Sequence, residues 1–390
     1  MPASDDTDAT GDSVGRRTLL RAKELWQSSP LGAERAVQAG DESTVSEPGS
    51  AAGAFLGGDH DGRSYRLYVP PGYDADEPVP LLVFLHGCRQ TPAAFATETG
   101  MNEVAADETF LVAYPKQSRF GNPLRCWNWY DDTAATRGAG ELAWLADLTR
   151  SVIDEFAVDE DRVYVAGLSA GGSMAARAIV EYTDLFAAAG VHSGPAYDAV
   201  GSVFAALSQM YRGDGQDGRE AGIEAYEAMA DRARAIPTIV FHGTDDDVVD
   251  VINARQLTEG TLRASHRGVN GEEETLELEP DRVETDVSGP YEYTRRQYRD
   301  GTGTLVVEEW LVDGMGHAWS GGSPDGRFTA PEGPDASRLL WRFVSEYEKS
   351  TLEAAADARW TLPVVGPVSL SRLSRVRARG REAISRLLER

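Results

Sequence analysis

Two rhythms of hydrophobic residues run along the chain. Over 64–69, Ser64-Tyr65-Arg66-Leu67-Tyr68-Val69 alternates polar with apolar as a half-buried strand does, and Pro70-Pro71-Gly72 then turns the chain. Over 81–85, five apolar residues follow one another without alternation, the mark of a strand covered on both faces. A helix is predicted over 91–107, a second buried strand over 110–114, a long loop over 115–138 and a helix over 139–156. The β-branched run Val163-Tyr164-Val165 breaks at Gly167 and restarts as a small-residue helix, and another strand covers 186–191. Further strands are predicted over 238–241, 291–299 and 304–312, with helices over 251–262 and 335–347. This alternation predicts a doubly wound, mostly parallel α/β sheet with helices on both faces.

The remainder divides into appendages. Residues 1–53 read as an acidic tail and linker with one short helix, 54–349 as the compact α/β domain, and 350–390 as a C-terminal extension. Within the domain, 195–235 is long enough to lie over the sheet edge as a lid, and 265–290 reads as an acidic surface insertion. From 371 to 390 seven arginines stand against two glutamates, and Leu373, Val376, Ile384, Leu387 and Leu388 fall on one helical face. Such a helix suits an anionic membrane, a granule surface, the protein's own acidic body or a dimer contact.

Charge narrows the partners. Against 38 Lys and Arg stand 63 Asp and Glu, a net charge of −25, which argues against nucleic acid and fits a protein working in high salt. No apolar run reaches membrane-spanning length, and Arg21, Lys23 and Glu24 interrupt the stretch after Arg16-Arg17 before a signal peptide can form, so the cytoplasm is the default expectation. The two cysteines, Cys88 and Cys126, do not make a disulfide scaffold.

The chemistry centres on Gly167-Leu168-Ser169-Ala170-Gly171, a G-x-S-x-G turn between strand and helix that lifts a serine hydroxyl over the sheet's end. A serine hydroxyl needs an imidazole to take its proton and a carboxylate to orient that imidazole. With the chain order Ser, acid, His, the base falls to His266 or His317. His317 stands in a glycine-flanked loop directly after the last strand, whereas His266 follows no strand. Asp245, Asp246, Asp247 and Asp250 all follow one strand; Asp246 is preferred, with Asp247 in reserve. The backbone amides of Cys88 and Ala170 are the candidate oxyanion donors, and His86 reads as a support residue.

With these residues placed, the chain from about 55 to 347 resembles the poly(3-hydroxybutyrate) depolymerase family of α/β-hydrolase esterases, which includes feruloyl-esterase-like and LpqC-like members. The resemblance is carried by Leu85-His86-Gly87-Cys88-Arg89-Gln90-Thr91, Cys126-Trp127-Asn128-Trp129-Tyr130, Arg137-Gly138-Ala139-Gly140-Glu141, Gly167-Leu168-Ser169-Ala170-Gly171-Gly172, His192-Ser193-Gly194, Phe241-His242-Gly243 and Gly316-His317-Ala318-Trp319-Ser320-Gly321-Gly322. It implies Ser169 as nucleophile, Asp246 as acid, His317 as base, and hydrolysis of hydroxyalkanoate oligomers or short-chain esters without metal or cofactor. Asp250 departs from the pattern, which usually has proline there. Feruloyl or acetyl carbohydrate esters are the second substrate class, and a catalytically silent binding protein is the reading from outside enzymes. Trp319, Trp127, Trp129 and Tyr130 are candidates for lining a subsite. Cys88 and Cys126 fall on loops at the same end of the sheet, where either a disulfide or a pair of free thiols is compatible with the sequence.

Overall fold

The two buried runs become neighbours in a ten-stranded sheet of order β1-β2-β4-β3-β5-β6-β7-β10-β9-β8. The computed structural model describes residues 53–197, 203–213, 217–270, 279–300 and 303–360. The chain divides into two units, 1–356 and 357–390, and the ten-stranded sheet lies within the first. The predicted tail and the basic C-terminal helix lie outside the described residues.

The strands β3 (Val79–Leu85), β4 (Leu111–Pro115), β5 (Val158–Leu168), β6 (Ala188–His192), β7 (Thr238–Gly243) and β10 (Leu305–Val312) form the parallel centre. The hairpin of β1 (Ala54–His60) and β2 (Arg63–Val69) borders it antiparallel on one side, and that of β8 (Arg282–Ser288) and β9 (Tyr291–Arg299) on the other. Because side chains alternate along a strand, β3 feeds two cores. Leu81, Val83 and Leu85 pack towards α4 (Gly140–Glu155) and α5 (Ala170–Glu181), while Leu82 and Phe84 pack towards α1 (Pro92–Thr99), α2 (Met101–Glu108) and α9 (Ala336–Val344). Helices therefore cover both faces, as a parallel sheet requires.

Some boundaries differ from expectation for identifiable reasons. The helix predicted over 91–107 is two helices, divided at Gly100, which sits at φ 66° and caps α1 with its amide on Ala96. A short helix, α3 (Asp132–Ala135), interrupts the loop over 115–138. Within 195–235, α6 (Val203–Arg212) is followed by α7 (Gly218–Met229), whose Ala221, Ala225 and Met229 are buried. Gly218 and Gly222 let α7 approach α8 (Ile252–Asn270) so closely that a Cβ at either would stand 2.5 or 2.7 Å from Glu259 or Arg263, so α7 belongs to the helical layer. The stretch from 265 is not all surface excursion: α8 continues to Asn270 with Ser265 buried, and β8 is the sheet's edge strand.

Register decides where the chemistry collects. Leu85 lies opposite Gly167, Leu168 opposite His192, His192 opposite Phe241, and Val312 opposite Gly243. The carboxyl ends of β3, β5, β6, β7 and β10 thus come level, and the loop after each reaches one rim, where ligands bind in such sheets.

Candidate active site

The turn after β5 is built for close approach. Ser169 has φ 57° and ψ −123°, a strained conformation for a residue with a side chain, and Ser173 donates its amide to the Ser169 carbonyl at 3.0 Å as α5 begins. A Cβ on Gly171 would stand 2.2 Å from the carbonyl oxygen of Leu85, and one on Gly167 would stand 2.5 Å from the Gly171 backbone. Only glycine fits at either position, which is why the small residues flank the serine.

Asp246 is the aspartate that the structure selects. It is 7% exposed, whereas Asp245 and Asp247 point to solvent. Its Oδ1 accepts the amides of Val248 and Val249 at 3.0 and 2.8 Å, which aims Oδ2 inward. There Oδ2 meets Nδ1 of His317 at 2.8 Å. Burial pushes the Asp246 carboxyl up, but the His317 hydrogen bond and its charge, with the Val249 amide, outweigh this and hold it below the ordinary aspartate value. A carboxylate at that spot fixes the proton on Nδ1 and leaves Nε2 of His317 with its lone pair. Behind the carboxylate, buried His242 donates from Nε2 to the Val249 carbonyl at 2.7 Å and lies 3.5 Å from the same Oδ2. His266 sits on α8, away from this group.

The loop after β3 is held from several sides. Gly87 donates its amide to Gln90 Oε1 at 2.7 Å, Arg89 to the Leu124 carbonyl at 2.7 Å, and Gln90 to the Gly87 carbonyl at 3.3 Å. The Gln90 side-chain amide is in turn bound by Glu98, whose backbone carbonyl takes the Ser323 amide at 2.8 Å. His86 is buried; its Nδ1 donates to the Gly87 carbonyl at 2.8 Å, and its Nε2 accepts the Gln117 amide at 3.2 Å. Burial pulls this imidazole down to a pKa of about 4, so it stays neutral.

Of the two cysteine states, the structure contains the bridge: Cys88 and Cys126 are joined with an S–S distance of 2.07 Å across 38 residues. The Trp-rich loop is thereby pinned beside the Cys88 amide. Buried Glu141 holds the same loop, accepting from the Asn128 amide at 2.9 Å, from Asn128 Nδ2 at 2.6 Å and from Gln117 Nε2 at 2.5 Å. Gln117 and Glu98 carry no motif, and nothing in a linear reading marks them as supports.

The aromatic residues are placed differently from the expected subsite. Trp127 is fully buried and donates from Nε1 to the His86 carbonyl at 3.1 Å. Trp319 is buried edge-on against Phe84 and Phe95, with Nε1 on Ser337 Oγ at 3.2 Å. Both indoles pack beneath the site instead of forming its wall, because each needed an acceptor and an apolar bed. Trp129 is buried as well, and Tyr130 remains half-exposed, its hydroxyl 3.3 Å from Asn128 Oδ1.

Comparison with known proteins decides the family. The family model described as esterase PHB depolymerase matches residues 63–271, more than half of the chain. The chain belongs to the esterase PHB depolymerase family. Within this esterase family, it is 31% identical over 251 residues to poly(3-hydroxyalkanoate) depolymerase C of Paucimonas lemoignei, covering 64% of this chain and 57% of that protein. It is 27% identical over 258 residues to feruloyl esterase B of Thermothelomyces thermophilus, covering 64% of this chain and 82% of that one. The chain thus spans little more than half the length of the depolymerase it matches. Among solved structures, acetyl xylan esterase from Aspergillus awamori superposes with a TM-score of 0.51 at 22% identity, over 65% of this chain and 88% of that one. That likeness concerns the fold, which is the α/β-hydrolase fold of the family.

Proposed function

We propose that this family member is a serine carboxylic-ester hydrolase working through an acyl-enzyme. The observation that carries the reading is the 2.8 Å bond from His317 Nδ1 to buried Asp246, on the same rim as the strained serine turn. In the proposed reaction the Ser169 oxygen attacks the ester carbonyl while its proton passes to His317 Nε2. The tetrahedral oxyanion is taken by the amides of Ala170 and Cys88. Ala170 opens α5, where first-turn amides have no intrahelical partner. Among the described residues, Gly87, Arg89 and Gln90 have all committed their amides, which leaves Cys88 as the donor that loop presents. As the intermediate collapses, the C–O bond breaks and His317 returns its proton to the departing alcohol. Water then repeats the sequence on the acyl-enzyme, releasing the acid and restoring Ser169.

Hydroxyalkanoate oligomers or other short-chain esters are the proposed substrates, with Tyr130 as the aromatic left to border the cleft. The similarity to a feruloyl esterase over most of that protein's length supports carbohydrate esters as the second reading. The Cys88–Cys126 bridge favours an oxidising compartment over the cytoplasm. Partners other than ester substrates, including a membrane or granule for the C-terminal arginine-rich helix, stay proposals; nucleic acid is disfavoured by the net charge of −25. The deciding experiment combines a fluorophosphonate with a panel of nitrophenyl esters, hydroxybutyrate oligomers, amorphous polymer and feruloyl or acetyl sugars. Labelling abolished by Ser169→Ala, with turnover of one ester class, is expected. A wild type that takes no label and turns over no ester would leave a silent binding fold, and equal labelling of wild type and Ser169→Ala would reject Ser169 as the nucleophile.

A further inference from the structure

His192 ends β6 between the strand that delivers the nucleophile and the strand next to the one that delivers the base. Its backbone carbonyl accepts the amide of Ser169 at 2.8 Å. Its ring, at Nε2, accepts the amide of Ser320 at 3.0 Å, three residues beyond His317. The indole of Trp319 is stacked on the same ring, with centroids 4.8 Å apart and planes 27° from parallel. An amide N–H only donates, so Nε2 carries a lone pair and the ring proton sits on Nδ1, which meets Ser193 Oγ at 3.1 Å. The residue is 1% exposed, and burial holds its imidazole well below the ordinary histidine value, as do the neighbouring rings of His242 and His317. The neutral ring with an accepting Nε2 is therefore the form in place.

The two tethers run in different directions. The main chain of His192 holds the strained turn at Ser169, and the side chain holds the loop on the far side of His317. On its near side that loop is fixed to the acid's loop by the Asp245 amide on the Met315 carbonyl at 3.1 Å. His86 and His242 are occupied elsewhere, on the Gln117 amide and the Val249 carbonyl. We propose that His192 is a positioning residue, which sets the separation of the Ser169 hydroxyl and the His317 ring by tying the nucleophile's turn through its main chain and the base's loop through its side chain to a single residue. This rests on the esterase reading above.

The test compares two amides that differ by one bond in reach. Glutamine places its Oε1 about where the imidazole has Nε2, whereas asparagine stops short of the Ser320 amide. His192→Gln is expected to keep kcat within about fivefold of wild type, and His192→Asn to lower it on the order of a hundredfold with KM changed by less than about threefold, since a shift of about 1 Å between reacting groups has that cost. Thermal unfolding by circular dichroism is run on both. Equal kcat values for the two variants, whether high or low, overturn the proposal. Failure of both to fold also overturns it, because the residue would then serve the fold alone. Ser169→Ala is the control: if it keeps turnover, the esterase reading falls, whereas an inert Ser169→Ala beside a fully active His192→Asn removes the role of His192 only.

Discussion

Replacing Asp246 by asparagine isolates what the carboxylate contributes. The Asp246→Asn side chain would keep the oxygen that accepts the Val248 and Val249 amides, at 3.0 and 2.8 Å, so the loop would hold its shape. The other oxygen becomes an NH2 facing His317 Nδ1 at 2.8 Å and His242 Nε2 at 3.5 Å. A donor then faces two donors. His317 must move its proton to Nε2, the atom that has to receive the proton of Ser169. A tautomer trapped in this way costs about 10⁴ in kcat, or about 5 kcal/mol of transition-state stabilisation, while leaving ground-state binding nearly untouched. Steady-state hydrolysis of a nitrophenyl ester is the assay, with KM followed beside kcat and unfolding measured to confirm an intact fold. A folded Asp246→Asn enzyme with kcat within about tenfold of wild type would refute the reasoning, because the carboxylate would not then be setting the tautomer.

Four further outcomes follow from the same geometry. Cys126→Ser opens a ring spanning 38 residues and is expected to lower unfolding stability by about 4 kcal/mol on the chain-entropy estimate, read from denaturant midpoints. With a folded-state pKa of about 4 against an ordinary 6.5, His86 binds its proton first in the unfolded chain. The stability it contributes is complete above pH 6.5 and is lost as pH falls towards 4, by about 3 kcal/mol, with buried His192 and His242 acting in the same direction; urea midpoints at pH 7 and 4.5 test this. Gly243→Ala would set a Cβ 2.0 Å from the Met315 carbonyl oxygen, forcing the base's loop off the end of β7, and is expected to cut ester turnover and phosphonate labelling together. Raising KCl from dilute buffer to molar concentrations is expected to raise the melting temperature, as screening relieves the self-repulsion of a net charge of −25.

What could be read linearly was whatever depends on neighbours in the chain. The unbroken apolar run at β3, the glycines around Ser169 and the histidine after β10 are local patterns, and each sits in the structure where its pattern placed it. Which aspartate turns inward was a preference until burial separated Asp246 from Asp245 and Asp247. Apolar periodicity failed where an element carries little of it. The last two turns of α8 include Ser265, His266 and Arg267, and β8 is an edge strand with Val283 and Val287 exposed, so neither shows the expected hydrophobic signal. The tryptophans misled for the opposite reason. A large aromatic beside a catalytic motif looks like a cleft wall, yet Trp127 and Trp319 fill space under the histidines, a distinction that depends on contacts from β3, α1 and α9.

The cystine between Cys88 and Cys126 also changes how the molecule would respond to being cut. Phe120 stands fully in solvent within the span that the bridge closes. Chymotrypsin clipping there would create a new amino terminus without releasing either piece, so the nicked and whole proteins would run alike on a denaturing gel until a reductant was added. Two bands appearing only with dithiothreitol would report, on the protein in solution, that the covalent loop encloses the exposed phenylalanine.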